Sequence, residues 1–109
     1  MFQLCLRLRA RPHQVADVVR ALRHIAIAAQ AERGFMCSRI FEDVGDRLAI
    51  FLQEDWTDES SLQSHIRSNS FTELLMLMEA TPEVPALEVR SVQQVYGLEY
   101  VEAVRFGQN

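Results

Sequence analysis

Residues 35–56 read FMCSRIFEDVGDRLAIFLQEDW, two segments rich in apolar side chains with a short polar link between them. In both segments the side chains alternate with the period of two that is typical of a β-strand. The link, Asp43-Val44-Gly45-Asp46, is short and contains a glycine, as hairpin turns do. We therefore predict a hairpin with strand 2 over 35–42 and strand 3 over 48–56.

The segment before the hairpin contains a strand and then a helix. Apolar residues alternate with other residues from Phe2 to Arg9, which predicts strand 1. After Pro12, apolar residues recur at helical spacing from Val15 to Ala29. This spacing predicts helix 1, ending near residues 31–33 with Gly34 as its left-handed stop.

The segment after the hairpin is predicted to form two helices. Thr57 or Asp58 can cap a short helix, and Ser70-Phe71-Thr72-Glu73 forms a capping box that begins a second one. Two prolines at 82 and 85 end the second helix. We predict a final strand over 87–105, interrupted around Gly97.

The element order βαββαβ predicts an α+β, ferredoxin-like domain that spans residues 1–109. In this fold an antiparallel four-stranded sheet, in the order 4-1-3-2, carries both helices on one face. Strand 3 then separates strands 1 and 2, which disfavours a bond between Cys5 and Cys37. Two widely spaced cysteines favour reduced thiols.

The predicted sheet has apolar residues on both faces. In strand 3, Leu48, Ile50 and Leu52 alternate with Ala49 and Phe51. Because helices cover only one face, the other needs a second covering layer. A second copy of the sheet packed face to face supplies it, so we predict a homodimer.

Composition and charge exclude several classes of protein. Lys and Arg number 11 against 15 Asp and Glu, a net charge of −4 with no basic cluster, so nucleic acid is not an expected partner. An arginine at position 7 precedes any apolar run of signal-peptide length, and no run is long enough to cross a bilayer. We expect a cytoplasmic protein with no membrane partner.

The segment with the most informative chemistry runs from Glu54 through Trp56 to His65. Strand alternation places Glu54 and Trp56 on one face at the end of strand 3, and His65 lies on the next helix. An indole, a carboxylate and an imidazole can hold a flat substrate and move a proton. A purely structural role for all three is an equal alternative, with Glu54 as an ion-pair partner of Arg39 or Arg7. A zinc or iron site would need ligands that converge from distant segments, which the sequence neither shows nor excludes.

These residues resemble the antibiotic biosynthesis monooxygenase domains of the dimeric α/β-barrel superfamily. That pattern is a helix ending in a glycine, a strand ending Glu-x-Trp, and a helix with His-x-x-Ser-x-x-Phe. The sequence departs from it at Arg33, where a proline often precedes the glycine. The matching positions here are Gly34, Glu54, Trp56, His65, Ser68 and Phe71.

The resemblance implies a cofactor-independent monooxygenase that oxidises a small quinol or phenolic polycyclic aromatic with O2. It implies that Trp56 packs against the substrate and that His65 is the catalytic base or hydrogen-bond donor. Glu54 would orient a neighbour, while Phe71 and Leu75 line the pocket between sheet and helices. Haem-degrading members carry an iron-ligating histidine at the position of Leu75, which cannot ligate iron.

The alternative function is a non-catalytic dimeric barrel that binds a small hydrophobic ligand or acts as an interaction module. The two differ in what surrounds His65 and Trp56, because catalysis needs both residues to line an open cavity.

Overall fold

A computed structural model describes residues 1–107, which form one four-stranded sheet and four helices. The last two residues of the predicted domain, 108 and 109, lie outside the described part. The elements in chain order are β1 (Phe2–Arg9), α1 (Val15–Ala29), β2 (Phe35–Asp43), β3 (Asp46–Trp56), α2 (Glu59–Ile66), α3 (Asn69–Ala80), β4 (Ala86–Ser91) and α4 (Leu98–Arg105).

The sheet is antiparallel with the order β2-β3-β1-β4, as the sequence predicts for a ferredoxin-like fold. Within the described chain this sheet is open and does not close into a barrel. Because β3 lies between β1 and β2, Cys5 and Cys37 are on non-adjacent strands and both are free thiols.

The core lies between the sheet and the helices. β1 contributes Leu4, Leu6 and Leu8, which are at most 2% exposed, and α1 contributes its apolar stripe, including Leu22 at 0%. Burying one such leucine stabilises the fold by roughly 1.5–3 kcal/mol. The same alternation places Glu54 and Trp56 of β3 on this buried side, both 0% exposed.

A β-bulge at Met36 corrects the predicted faces of β2. Phe35 pairs with Trp56 and Cys37 with Asp55, so Met36 is an extra residue without a partner on β3. An extra residue reverses the side-chain alternation that follows it. Phe35 therefore lies on the helix side beside Trp56, whereas Cys37 lies on the outer face; the sequence pattern had placed both on the same face.

The outer face of the sheet, which no helix of the described chain covers, is more polar than predicted. Phe41 and Phe51 pair there, and the guanidinium of Arg7 lies 5.8 Å from the centre of the Phe51 ring. Gln53 and Arg39 form the next paired row. The outer face thus combines an aromatic patch with charged and amide side chains.

The start of α3 differs from the predicted capping box. Ser68, not Ser70, is the N-cap, and its hydroxyl accepts a hydrogen bond from the backbone N–H of Phe71. The helix therefore begins at Asn69, and the Ser70 hydroxyl is free for another partner. For α2 the cap is Asp58, one of the two predicted candidates.

The predicted strand over 87–105 is wrong beyond Ser91. Residues 98–105 form α4, whose N-cap is Gly97. Glu99 in its first turn and Arg105 in its last turn both suit the helix dipole. Its apolar residues Leu98, Tyr100 and Val104 fit the alternation of a strand, whereas Tyr100, Val101 and Val104 fit helical spacing, so the sequence pattern did not distinguish the two.

Within residues 1–107, none of the helices is both long and apolar enough to span a bilayer.

Candidate functional site

The imidazole of His65 and the indole of Trp56 form the centre of the candidate site. Trp56 comes from the end of β3 and His65 from the last turn of α2, and both are 0% exposed. Their rings are stacked, with centroids 4.4 Å apart and planes 26° apart. Phe71 of α3 packs edge-on against His65, with 5.7 Å between ring centroids. The structure therefore brings together three of the residues that the sequence singled out.

Two carboxylates lie on opposite sides of His65. Its Nδ1 is 3.1 Å from both carboxylate oxygens of Glu32. Its Nε2 is 3.0 Å from Oε1 of Glu54, an ion-pair distance, although the N–H direction does not fulfil hydrogen-bond geometry. Glu54 is fully buried, whereas the Glu32 side chain is 24% exposed. The three side chains thus form a continuous chain of polar atoms from the core to the surface.

The serines at the start of α3 extend this chain of polar groups. The Ser70 hydroxyl donates a 2.8 Å hydrogen bond to Oε2 of Glu32. The Ser68 hydroxyl lies 3.0 Å from that of Ser70 and donates to the backbone carbonyl of His65 at 2.6 Å. These contacts fix Glu32 against the α2–α3 junction and hold His65 in place.

The carboxylates determine the protonation of His65. Burial lowers the pKa of His65, but the attraction of Glu54 and Glu32 for the charged imidazole outweighs burial, so its pKa is raised above the ordinary value. At neutral pH the ring is therefore protonated to a greater extent than an exposed histidine.

Four buried polar atoms of the site have no hydrogen-bond partner among residues 1–107. They are Nε2 of His65 and Oε1 of Glu54, which lie at ion-pair distance from each other, and Oε2 of Glu54 and Nε1 of Trp56. Such groups are rare in folded proteins, because leaving one unsatisfied costs about 1–3 kcal/mol. A carboxylate oxygen and an indole N–H are a natural acceptor and donor for a polar ligand.

The site is sealed in this conformation. Glu54, Trp56 and His65 are 0% exposed and Phe71 is 5% exposed, and the three best-formed cavities of the described residues are lined by other side chains. Leu75 is 45% exposed and lines a separate groove of about 370 Å³ beside the α3–β4 link. A cavity of about 300 Å³ lies instead on the outer sheet face, against Phe41 and Phe51. The predicted pocket between sheet and helices is thus not open here.

The ion pairs that the sequence suggested for Glu54 do not form. Arg39 and Arg7 lie on the outer face, where they pair with Asp55 at 3.5 Å and with Asp46 at 3.3 Å. Glu54 instead faces the helices. Because Glu32 and Glu54 contact opposite edges of one imidazole, they do not converge on a point. No group of three or more metal-binding side chains occurs within residues 1–107.

Sequence reasoning missed Glu32 and Ser70. Glu32 follows α1 in the turn that ends at Gly34, whose φ of +82° turns the chain back toward the sheet. A Cβ at Gly34 would lie 2.0 Å from the Ser61 hydroxyl oxygen of α2, so only glycine fits this approach. The available signal was an acidic residue two positions before the glycine that ends the helix.

Comparison with protein-family models gives a match to the family described as antibiotic biosynthesis monooxygenase, over residues 1–75. The match runs from β1 into α3 and includes Glu32, Glu54, Trp56, His65 and Phe71. The chain belongs to the antibiotic biosynthesis monooxygenase family. β4 and α4 lie beyond the matched region.

Solved structures share the fold of this family member at low sequence identity. A provisionally assigned antibiotic biosynthesis monooxygenase from Deinococcus radiodurans superposes with a TM-score of 0.81 at 17% identity, over 89% of this chain and 97% of that one. A conserved protein from Methanosarcina mazei Go1 gives 0.76 at 19%, over 84% and 92%. A variant of SnoaB, a cofactor-independent oxygenase from Streptomyces nogalater, gives 0.75 at 10%, over 86% and 94%. These likenesses establish the fold; no curated protein matches the sequence.

Proposed function

We propose that this protein is a cofactor-independent monooxygenase that oxidises a small quinol or phenolic polycyclic aromatic with O2. The observation that carries the proposal is the buried His65, stacked on Trp56 and flanked by Glu54 and Glu32. Membership of the monooxygenase family supports the reaction class. Buried titratable groups with a perturbed pKa are typical of catalytic sites.

In this proposal Glu54, rather than His65, is the group that accepts the substrate proton. Both ring nitrogens of His65 face carboxylates, whereas Oε2 of Glu54 is free. When the ring of His65 is neutral, with its proton on Nδ1, the proton passes from Glu54 to Nε2, and Nδ1 then gives its proton to Glu32 at the surface. The imidazolium formed in this relay also stabilises negative charge on a substrate bound against Trp56.

For a substrate with an acidic methylene group, one molecule of O2 converts the methylene into a carbonyl group and releases one molecule of water. Loss of one C–H proton gives a carbanion, whose electrons reduce O2 as a C–O bond forms. The proton returns to give a hydroperoxide, and loss of the second C–H proton breaks the O–O bond and releases water. The substrate supplies every electron, so the protein's task is to bind, desolvate and exchange protons.

Entry of the substrate requires movement of the helices, because the site is sealed. The element that would have to move is α3, because its Phe71 packs against His65. It follows α2 after only two intervening residues, Arg67 and Ser68. Displacement of the Phe71 side chain removes the aromatic contact that covers His65. Such gating is common in enzymes that exclude water from a reactive intermediate.

A second function is favoured by one specific observation. The cavity on the outer sheet face has aromatic walls, Phe41 and Phe51, whereas His65 and Trp56 are sealed. That arrangement suits a non-catalytic barrel that binds a small hydrophobic ligand between its sheets. In this case the His65 cluster, formed by His65, Trp56, Glu54 and Glu32, only anchors the helices to the sheet.

We propose the same oligomeric state for both functions, a homodimer joined through the outer sheet faces. Phe41, on an edge strand, is 46% exposed, and Phe51 lies beside it. A second copy that brings its own outer face against this patch removes these aromatic side chains from water. The polar residues around the patch are suited to a partly hydrated barrel interior.

Oxygen uptake distinguishes catalysis from ligand binding. Chelator-treated protein is offered a panel of anthrones and reduced quinols, and Glu54→Gln is compared with Asp55→Asn, its neighbour on the outer face. The proposal expects turnover without added cofactor, reduced roughly 100-fold or more by Glu54→Gln and little by Asp55→Asn. Uptake no faster than the spontaneous reaction over the whole panel contradicts it and favours the ligand-binding function.

A further inference from the structure

The C-terminal helix α4 has an apolar stripe that is uncovered. Tyr100, Val101 and Val104 lie on one side of the helix and are 46%, 55% and 50% exposed. Glu99, Glu102 and Arg105 occupy the other side. Within residues 1–107 no α4 residue is buried. A helix of this length is marginal in water unless its apolar face packs against something.

A matching uncovered surface lies on β4. Leu87 pairs with Leu6 of β1 and Val89 with Leu4, so all four side chains lie on the helix side of the sheet. Leu4 and Leu6 are buried, yet Leu87 is 39% and Val89 52% exposed. The layer formed by α1, α2 and α3 therefore stops short of β4.

The shape of the chain keeps these two surfaces apart. Its radius of gyration is 16.2 Å, whereas a compact domain of this length has about 13 Å. Its accessible surface is 7394 Å², about 1200 Å² more than expected from its mass. A standard interface buries about 800 Å² on each partner. The excess surface of one chain is thus enough to form a stable contact with another.

We propose that α4 of each copy packs across β4 of a second copy, so that its apolar stripe covers Leu87 and Val89 of that copy. Each chain has one unpartnered helix and one uncovered strand, and a reciprocal exchange about a two-fold axis satisfies both at once. This inference rests on the homodimer proposed above and adds a second contact to it. The helix thereby supplies the covering layer that the chain's own helices lack.

A disulfide test identifies the chain on which α4 packs. In a background with Cys5→Ser and Cys37→Ser, Val89→Cys and Val101→Cys are introduced together and oxidised. The expected product is a disulfide-linked species with twice the 12.5 kDa mass of one chain. Val89→Cys with Glu99→Cys is the matched control, because Glu99 lies on the polar side of α4. Val101→Cys alone controls for a bond between the two helices.

The possible outcomes test the exchange of α4 and the homodimer separately. A covalent dimer from the Val89/Val101 pair, but from neither control, supports the exchange. A bond within one chain shows that α4 folds back on its own β4 and overturns the exchange. If no bond forms in a protein that light scattering shows to be dimeric, the exchange is also overturned, but the proposed homodimer stands. A monomeric mass for the unmodified protein overturns both.

A second measurement does not depend on disulfide formation. Val101→Glu places a charge on the apolar stripe of the complete chain, and Val95→Glu places one on the exposed link before α4. Sedimentation equilibrium should show a dimer dissociation constant at least tenfold higher for Val101→Glu than for Val95→Glu. Equal constants contradict the exchange.

Discussion

The imidazole of His65 lies against the indole of Trp56 at 4.4 Å, with two carboxylates in contact with its nitrogens. The ring is fully buried and its pKa is raised. A histidine in this setting links the stability of the fold to pH, and the tryptophan beside it reports on its charge.

Protonated His65 should stabilise the fold. Because its pKa in the folded state is above the unfolded value of about 6.5, this contribution is complete below about pH 6.5 and is lost as the pH rises through the folded-state pKa. Urea unfolding across this range should show a falling free energy of unfolding relative to His65→Gln. The control, His24→Gln, changes an exposed histidine and should follow the wild type. Parallel pH profiles for the wild type and His65→Gln would contradict the prediction.

The charge of Glu32 should contribute to the raised pKa of His65. Trp56 is the only tryptophan, and a charged imidazole stacked on an indole quenches its fluorescence. Emission of the wild type should therefore increase as His65 loses its proton. In Glu32→Gln the midpoint should move to lower pH, because one of the two attractions is removed. Glu59→Gln, on the same helix as His65, is the control; an unmoved midpoint in Glu32→Gln would show that Glu32 has no such effect.

Gly34 should not tolerate a side chain. Its φ is +82°, and a Cβ would lie 2.0 Å from Oγ and 2.3 Å from Cβ of Ser61. The left-handed backbone alone costs an alanine about 1–2 kcal/mol, and the clash adds to this cost. Thermal unfolding of Gly34→Ala should therefore occur well below that of Gly45→Ala, where the nearest atom is 3.5 Å away. Equal stabilities would mean that the turn can relax.

Phe51 should be part of the dimer contact. A glutamate there places a charge in the proposed dimer contact, and removing that charge from water costs several kcal/mol even beside Arg7. We expect Phe51→Glu to give monomeric or insoluble protein by light scattering. Val44→Glu, in the fully exposed hairpin turn, should leave the mass unchanged. A soluble dimer of Phe51→Glu would place the dimer contact elsewhere.

The sequence predicted those features that follow from local periodicity. The alternation of β3 correctly placed Glu54 and Trp56 on one face but did not decide between the helix side and the outer side, whereas the element order gave the strand order of the sheet. The position of His65 on a helix after β3 brought it close to both residues. Residue spacing therefore singled out Glu54, Trp56 and His65, whereas Phe71 entered the candidate site only through the family resemblance.

Other features depend on contacts between distant residues. Glu32 meets His65 because Gly34 turns the chain after α1, a relationship that spans 33 residues. The bulge leaves Met36 without a partner on β3, so Phe35 and Cys37 lie on opposite faces of the sheet. The apolar residues of the short, exposed α4 are compatible with either a strand or a helix. The sealed state of the site depends on how the helices pack over His65 and Trp56, which the sequence pattern does not predict.

Catalysis as proposed requires a flat phenolic substrate to bind against Trp56 inside the His65 cluster. Oxygen-free protein is titrated with anthrone while the emission of Trp56 is recorded, with free tryptophan amide as the control for absorption by the ligand. We predict saturable quenching, because the ligand must stack on the indole before oxygen can react. Unchanged emission, with anthrone binding detected by equilibrium dialysis, would place the ligand elsewhere and contradict the proposed site.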